Sequence, residues 1–478
     1  MTTSLVSSKG TFFLDFESRH KSTGIRKFVT QFSQLKTDIS FKRINQLAIP
    51  ALIAGIAEPL ISITDTAIIG NIDVQAKESL GAVAIVGSFL SMLIWVFAQV
   101  RSAVSSIVSQ YLGAGKLEEV KTLPAQATFI VVSIGLLIVA LTFPFSEFIF
   151  KLYGAEDLIL SFSVDYYQIR VFGLPFTLFV FTIFGTFRGL QNAFYPMIVA
   201  MIGAVTNIVL DWLLVYGIEG SIPAMNIEGA AYASVISQVV MALTSVVLLY
   251  QKTSIRLWIV FPFNKEIPKL IKMVFDLFLR TVALNAALIF AVYRATSYGT
   301  DALAAYGIGI QIWFFGAFFI DGYSSAGNML SGRLLGAKEY DTLIVLGNRL
   351  LKYGLITGAG LALTGALFYD EIGRVFIKDQ NVLDRFYEVF WIILIMQPLC
   401  AMTFIYDGMF KGMGLTAFLR NLLLVSTFVI FIPSLLLLEQ LDIKLYGVWF
   451  TFILWIAARG FPLIFKFRRT FLPLIEKT

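Results

Sequence analysis

Residues 50–70 read PALIAGIAEPLISITDTAIIG. Glu58 and Asp65 are the only charges in the run, and with its lead-in from Ile44 it exceeds the roughly 20 apolar residues a helix needs to cross a bilayer. A helix is expected over 44–72. Asp65 then lies about 10 Å inside its outer end at 1.5 Å per residue. A carboxylate at that depth is costly, which makes Asp65 a functional-site candidate. Glu58 sits about two turns earlier on the same face, as a proton relay or as a structural group beside Pro59.

The rest of the chain repeats this pattern. Of 478 residues, 58% are hydrophobic and 14% charged, far from the roughly 45–50% apolar and 25% charged usage of soluble domains. Further apolar stretches fall at 80–111, 124–145, 158–183, 193–216, 227–250, 269–294, 303–332, 346–369, 383–406, 416–438 and 444–466. The expected fold class is an all-α integral membrane protein of twelve transmembrane helices. Of 37 Lys and Arg residues, 27 fall in the tails and loops on the side of the termini and 7 on the other. Both termini are therefore expected in the cytoplasm of a multi-pass inner-membrane protein. Residues 1–43 lack a long apolar core and read as a largely disordered cytoplasmic tail, with an amphipathic piece near Phe28–Leu35.

One cysteine, Cys400, and one histidine, His20, exclude a disulfide framework, a Cys/His metal site and a His/Cys-based enzyme. No Walker-type glycine loop is present, so ATP is not the evident energy source. No cofactor is expected. The net charge of +6 is explained by its distribution about the membrane, without nucleic acid.

Adding 223 to a residue number in the first half lands on a counterpart in the second. Leu80-Gly81-Ala82 falls on Leu303-Ala304-Ala305, Gly113-Ala114 on Gly336-Ala337, Pro175 on Pro398, and Phe187-Arg188-Gly189 on Phe410-Lys411-Gly412. The expected units are six-helix lobes at 44–250 and 269–467, joined by a cytoplasmic linker at 251–268 and followed by a tail at 468–478. Six is even, so the copies share one topology and a pseudo-two-fold axis along the membrane normal relates them. Such a pair suits alternating access around a central cleft, though a channel or membrane enzyme shares the architecture.

The polar residues inside the spans narrow the choice. Asn207 and Asp211 stand at i and i+4 on the fifth helix and point the same way. Ser234 lies about 10 Å into the sixth, at the depth of Asp65. Two carboxylates close together in low dielectric cannot both stay ionised without a cation, so the cluster is a candidate proton or sodium site, with a hydrogen-bonded packing network as the alternative. The register equivalents of Asp65, Asn207 and Asp211 are Leu288, Ile430 and Ser434, which confines the acidic cluster to the first half. Arg101, Arg170 and Arg280 each need a partner inside the membrane. Asp276 and Arg280, one turn apart, are expected to pair with each other. Asp321 and Asp407 are candidates for a gate or for structural pairs. Trp95, Phe314, Phe315, Phe318 and Phe319 could line an aromatic cleft that attracts lipophilic cations.

These residues carry a family resemblance. Glu58-Pro59 with Asp65-Thr66-Ala67-Ile68-Ile69-Gly70, Arg101, Ile169-Arg170 with Pro175, and Gly189-Leu190-Gln191-Asn192 carry one part of it. Asn207-Ile208-Val209-Leu210-Asp211, Gly229-Ala230-Ala231-Tyr232-Ala233-Ser234, Phe278-Leu279-Arg280-Thr281 and Asp321-Gly322 carry the other. Over about residues 40–470 the chain resembles the multidrug and toxic compound extrusion (MATE) transporters, in the branch typified by the bacterial DNA-damage-inducible protein F. The resemblance implies a cation site at Asp65, Asn207, Asp211 and Ser234, with Ala230 at a carbonyl position. Ser234 stands where the family usually has Thr. It also implies a monomeric antiporter exporting small organic, cationic or lipophilic, compounds against protons, with sodium as the alternative ion. The related reading is a lipid-linked precursor flippase, which needs a large cationic cavity that the sequence does not display.

Overall fold

The computed structural model describes residues 37–72, 75–218 and 221–475, except the Glu58 side chain. His20 and the expected amphipathic piece lie outside them. Helix α1 (Phe41–Ile69) begins where the Ser40 hydroxyl accepts the Arg43 N–H, and it continues through Pro50 and Pro59. Each proline removes one backbone donor, which neighbouring helices tolerate inside a bundle. The second span joins α2 (Ala76–Phe97) to α3 (Gln99–Gly113). The third is α4 (Leu123–Thr142), and the short α5 (Ser146–Leu152) follows. The fourth differs from the straight helix expected. It bends by 46° between α6 (Asp157–Arg170) and α7 (Gly173–Gly189), which puts Arg170 at the break. Helices α8 (Phe194–Tyr216) and α9 (Asn226–Lys252) complete the first lobe.

The second lobe comprises α10 (Ile267–Ser297), α11 (Thr300–Ala337), α12 (Tyr340–Leu367), the short α13 (Tyr369–Phe376) and α14 (Gln380–Gly412). Ala283, Ala287, Ala291 and Ala295 recur every fourth residue on α10 and are fully buried, a small-residue face that lets helices approach closely. The eleventh span starts as α15 (Thr416–Val425), widens into a π-turn at Ser426–Phe431 and resumes as α16 (Ile432–Glu439). The π-turn directly precedes Pro433, which has no N–H to continue a regular ladder. Helix α17 (Lys444–Ile475) runs past residue 467 into the stretch expected as a tail. Among the described residues, eleven helices are long and apolar enough to span a membrane, or twelve with the bent fourth span.

The duplication is visible in the packing. Ser105 donates to Asn328 Oδ1 at 2.8 Å, a hydrogen bond between register equivalents. Residues that touch their own counterparts lie on the two-fold axis. Beside them, Gly113 abuts the Arg333 backbone and Gly336 abuts the Gln110 backbone; these are two reciprocal contacts in the same register. Side chains larger than hydrogen would not fit between α3 and α11 here.

Contacts between the lobes gather at the end that carries both described chain ends. One core cluster there joins Ile44, Leu47 and Ala48 of α1 to Leu330, Tyr406 and Phe467 of the second lobe, and another joins Ile107 to Leu270 and Met273. At the opposite end the two main clusters each draw residues from one lobe alone. The lobes are therefore closed together at the terminal end.

Candidate functional site

Helices α1, α8 and α9 bring the predicted cluster together. Asp65 is 5% exposed, Asn207 and Asp211 are fully buried, and Ser234 is 1% exposed beside the fully buried Ala230. Asp65 lies one turn from the end of α1, nearer the surface than expected because the helix stops at Ile69. Its carboxyl faces Asp211 and Asn207, and the Asn207 amide donates to Ser234 Oγ at 3.4 Å.

Four oxygens in this pocket, Asp65 Oδ1, Asn207 Oδ1 and both of Asp211, are buried with no hydrogen-bond partner. Buried polar atoms are nearly always satisfied, so four orphaned acceptors at one point are a donor set for a cation or a proton. Carboxylate, amide and hydroxyl oxygens suit a hard cation such as sodium, and a single proton between the two carboxyls serves equally.

The bent fourth span contributes residues the sequence reading ranked lower or missed. Arg170, at the end of α6, faces both Asp65 and Asp211. The buried Tyr166 lies against Arg170 one turn earlier. With its amide oriented to satisfy its neighbours, Gln238 of α9 accepts from Arg170 Nη1 at 2.8 Å and donates to the Gly173 carbonyl at 3.2 Å. The amide thereby ties the break in the fourth span to α9. Glu58 falls on α1, with its side chain outside the described residues.

In the second lobe, one expected pair is replaced by two others. Arg280 does not bind Asp276; it reaches α14, where Nε and Nη2 lie 3.1 and 2.7 Å from Asp407 Oδ1. Asp276 instead accepts from Arg420 Nη1 at 2.5 Å and from the Thr416 hydroxyl at 2.9 Å on α15. Both side chains share a face of α10, but better-placed partners on facing helices outcompete the i,i+4 pair. Lys411 occupies the other Asp407 oxygen at 2.8 Å, so Asp407 is a structural counter-ion.

The interior is more basic than the sequence reading allowed. Arg188, 6% exposed, reaches Ser325 Oγ at 3.4 Å and leaves Nε unpartnered. Arg101 lies near it, with its guanidinium 5.7 Å from the Phe181 ring centroid. Asp321, exposed on α11, faces both Arg188 and Lys411. Arg459, 3% exposed in the middle of α17, faces Arg280 and Asp407. Arg188 and Lys411 fall between the expected spans and Arg459 within the last one, and their helices carry all three into the bundle. A lone arginine in the apolar run 445–465 was the available signal for Arg459. Among the aromatics, Phe315 and Trp95 are exposed, and Phe315 meets Phe319 edge-on at 5.1 Å.

Comparison with known proteins agrees with this architecture. The MatE family model matches residues 50–213 and 277–436, once in each lobe. The chain is 24% identical over 438 residues to DNA damage-inducible protein F of Escherichia coli K12, covering 90% of this chain and 92% of that one. It is 24% identical to multidrug resistance protein NorM of Vibrio cholerae, covering 87% and 93%. A crystal structure of MATE in the bent conformation superposes with a TM-score of 0.84 at 20% identity, over 91% of this chain and 96% of that one. Two matched halves, a twelve-span helical bundle and relatives aligned over 87–93% of either chain make the chain a member of the MatE family of multi-pass membrane transporters.

Proposed function

We propose that the protein is a secondary active antiporter that exports a small organic compound in exchange for an inward proton, with sodium as the alternative ion. The observation that carries this reading is the set of four orphaned oxygens at Asp65, Asn207 and Asp211. With both carboxylates ionised and Arg170 charged, the pocket is one positive charge short of neutrality. One proton or one sodium ion supplies it, with Ser234 Oγ and the Ala230 carbonyl completing the oxygen set for the metal ion. A ligand biases an alternating-access equilibrium only if it binds the two states differently. Neutralising a pocket walled by α1, α6, α8 and α9 changes the cost of burying it, and these are helices that must shift when the lobes rock. The basic residues near the ends support cytoplasmic termini in an inner membrane, so the closed end faces the cytoplasm and the conformation is outward-facing. A single chain contains the whole pocket, so a monomer suffices.

The test is efflux of a fluorescent compound from proteoliposomes under an imposed pH or sodium gradient, for wild type and Asp65→Asn. Export driven by one gradient and lost in the variant names the coupling ion. Undiminished gradient-driven export by Asp65→Asn removes the N-lobe pocket from the mechanism. A second reading, a lipid-linked precursor flippase, draws support from the cations at Arg101, Arg188, Arg280, Lys411 and Arg459, which suit a pyrophosphate. It requires transbilayer movement of an anionic lipid that does not depend on either gradient.

A further inference from the structure

Each lobe buries a charge cluster, and the two clusters have opposite net charge. Where the first lobe gathers Asp65 and Asp211 around Arg170, the second gathers Arg280, Lys411 and Arg459 around Asp407. Asp407 cannot serve all three, because Oδ1 is held by Arg280 and Oδ2 by Lys411. Arg459, on α17, makes no hydrogen bond or ion pair among the described residues. Its guanidinium packs on the Trp455 ring with a centroid distance of 4.8 Å. The nearby Cys400 sulfur already accepts the Trp313 indole N–H at 3.1 Å. A charged side chain 97% removed from solvent, with its planar face held by an indole and its five donors without a protein partner, favours the approach of an anion.

We infer that the second lobe holds an oxyanion, a carboxylate or phosphate group of the exported compound, bidentate on Arg459 and flanked by Arg280 and Lys411. The planar fork of an arginine matches both groups. Lys411 and its register equivalent Arg188 are both cationic, and both face the exposed Asp321. The Arg459 equivalent in the first lobe is Ile236, so this charge has no counterpart near the acidic pocket. An organic anion at the second-lobe cluster and a cation at the first-lobe cluster would leave each cluster closer to neutral. That the anion belongs to an exported compound rests on the antiporter reading; its binding does not.

The test is therefore equilibrium binding, measured by calorimetry on the full chain in detergent, with three probes: terephthalate, phosphatidylglycerol in mixed micelles, and tetraphenylphosphonium. An anionic probe should bind wild type and Asp65→Asn alike, and should weaken about ten- to hundredfold in Arg459→Gln, the range expected for one charge-assisted hydrogen-bonding partner. Arg459→Lys, which keeps the charge and loses the fork, should fall between them; thermal unfolding of each variant separates lost binding from lost fold. Tetraphenylphosphonium should be indifferent to Arg459→Gln. Arg459-dependent binding of terephthalate identifies a soluble organic anion, and the same dependence confined to phosphatidylglycerol identifies a lipid headgroup. Equal anion affinity in wild type and a folded Arg459→Gln, or no anion binding at all, overturns the inference. Loss of gradient-driven export in Asp65→Asn with anion binding intact shows that the two proposals stand or fall separately.

Discussion

Gly336→Ala should open the terminal end of the molecule. A methyl group built on Gly336 lies 2.7 Å from the Gln110 carbonyl carbon and 2.9 Å from its Cα, and closer still to the carbonyl oxygen. Ordinary van der Waals contact begins near 3.4 Å, so α3 and α11 must part by about 0.7 Å or more against backbone, which cannot swing aside. Nearby, the lobes are held by Ser105 Oγ to Asn328 Oδ1 at 2.8 Å, Ser106 Oγ to the Gly412 carbonyl at 2.8 Å and Gln110 Nε2 to the same carbonyl at 3.0 Å. At about 1 kcal/mol each, losing two or three costs about 2–3 kcal/mol, a shift of roughly thirty- to one-hundred-and-fifty-fold toward the form open at this end. The assay is alkylation of Ser109→Cys, which faces Gly332 across the interface and makes only an intrahelical hydrogen bond, by an impermeant maleimide applied from the terminal side, with and without Gly336→Ala. The native Cys400 is buried and contributes little background. Labelling should rise at least tenfold. Unchanged labelling in a folded double variant would refute the view that backbone contact at the axis holds the lobes closed.

Further outcomes follow from the buried charges. Asp407→Asn leaves Arg280 and Lys411 with a neutral partner and should destabilise the protein by about 3–5 kcal/mol; thermal unfolding in detergent measures it, and adding Arg280→Met should recover part of the loss. Ser234→Ala should weaken any sodium-driven export while sparing proton-driven export, because only the metal ion needs the hydroxyl oxygen; equal losses under both gradients would argue for a packing role. Gln238→Leu should lower export by freeing Arg170 at the bend, and an unchanged rate would place Arg170's positioning elsewhere.

Much of the candidate site was legible because a carboxylate in an apolar run is conspicuous. Asp65, Asn207, Asp211 and Ser234 were each visible one helix at a time, and helical periodicity set the shared face of Asn207 and Asp211, whereas the end of α1 at Ile69 set the depth of Asp65. Arg170 was visible too, but its contact with both acids depends on the 46° break after it, which no periodicity shows. The Asp276–Arg280 pairing failed for a related reason. Sequence spacing identifies which groups can meet along one helix, whereas Asp407, Arg420 and Thr416 approach from two other helices. Arg459 lay within the expected span at 444–466, but spacing along one helix does not show that its neighbours' carboxylate is already taken.

Sequence by itself determined the solvent, the number of spans, the duplication at 223 residues and the acidic cluster of the first half. These follow from local properties: the length of an apolar run, the period of a helix and the identity of a residue in a register. Tertiary structure decided which charges are paired and which are left over. Asp407 has only two oxygens, so the arrival of Arg280 at one and Lys411 at the other leaves Arg459 without a carboxylate. Partner competition of this kind depends on distances between helices that are remote in the chain, and the polarity of each lobe depends on its outcome.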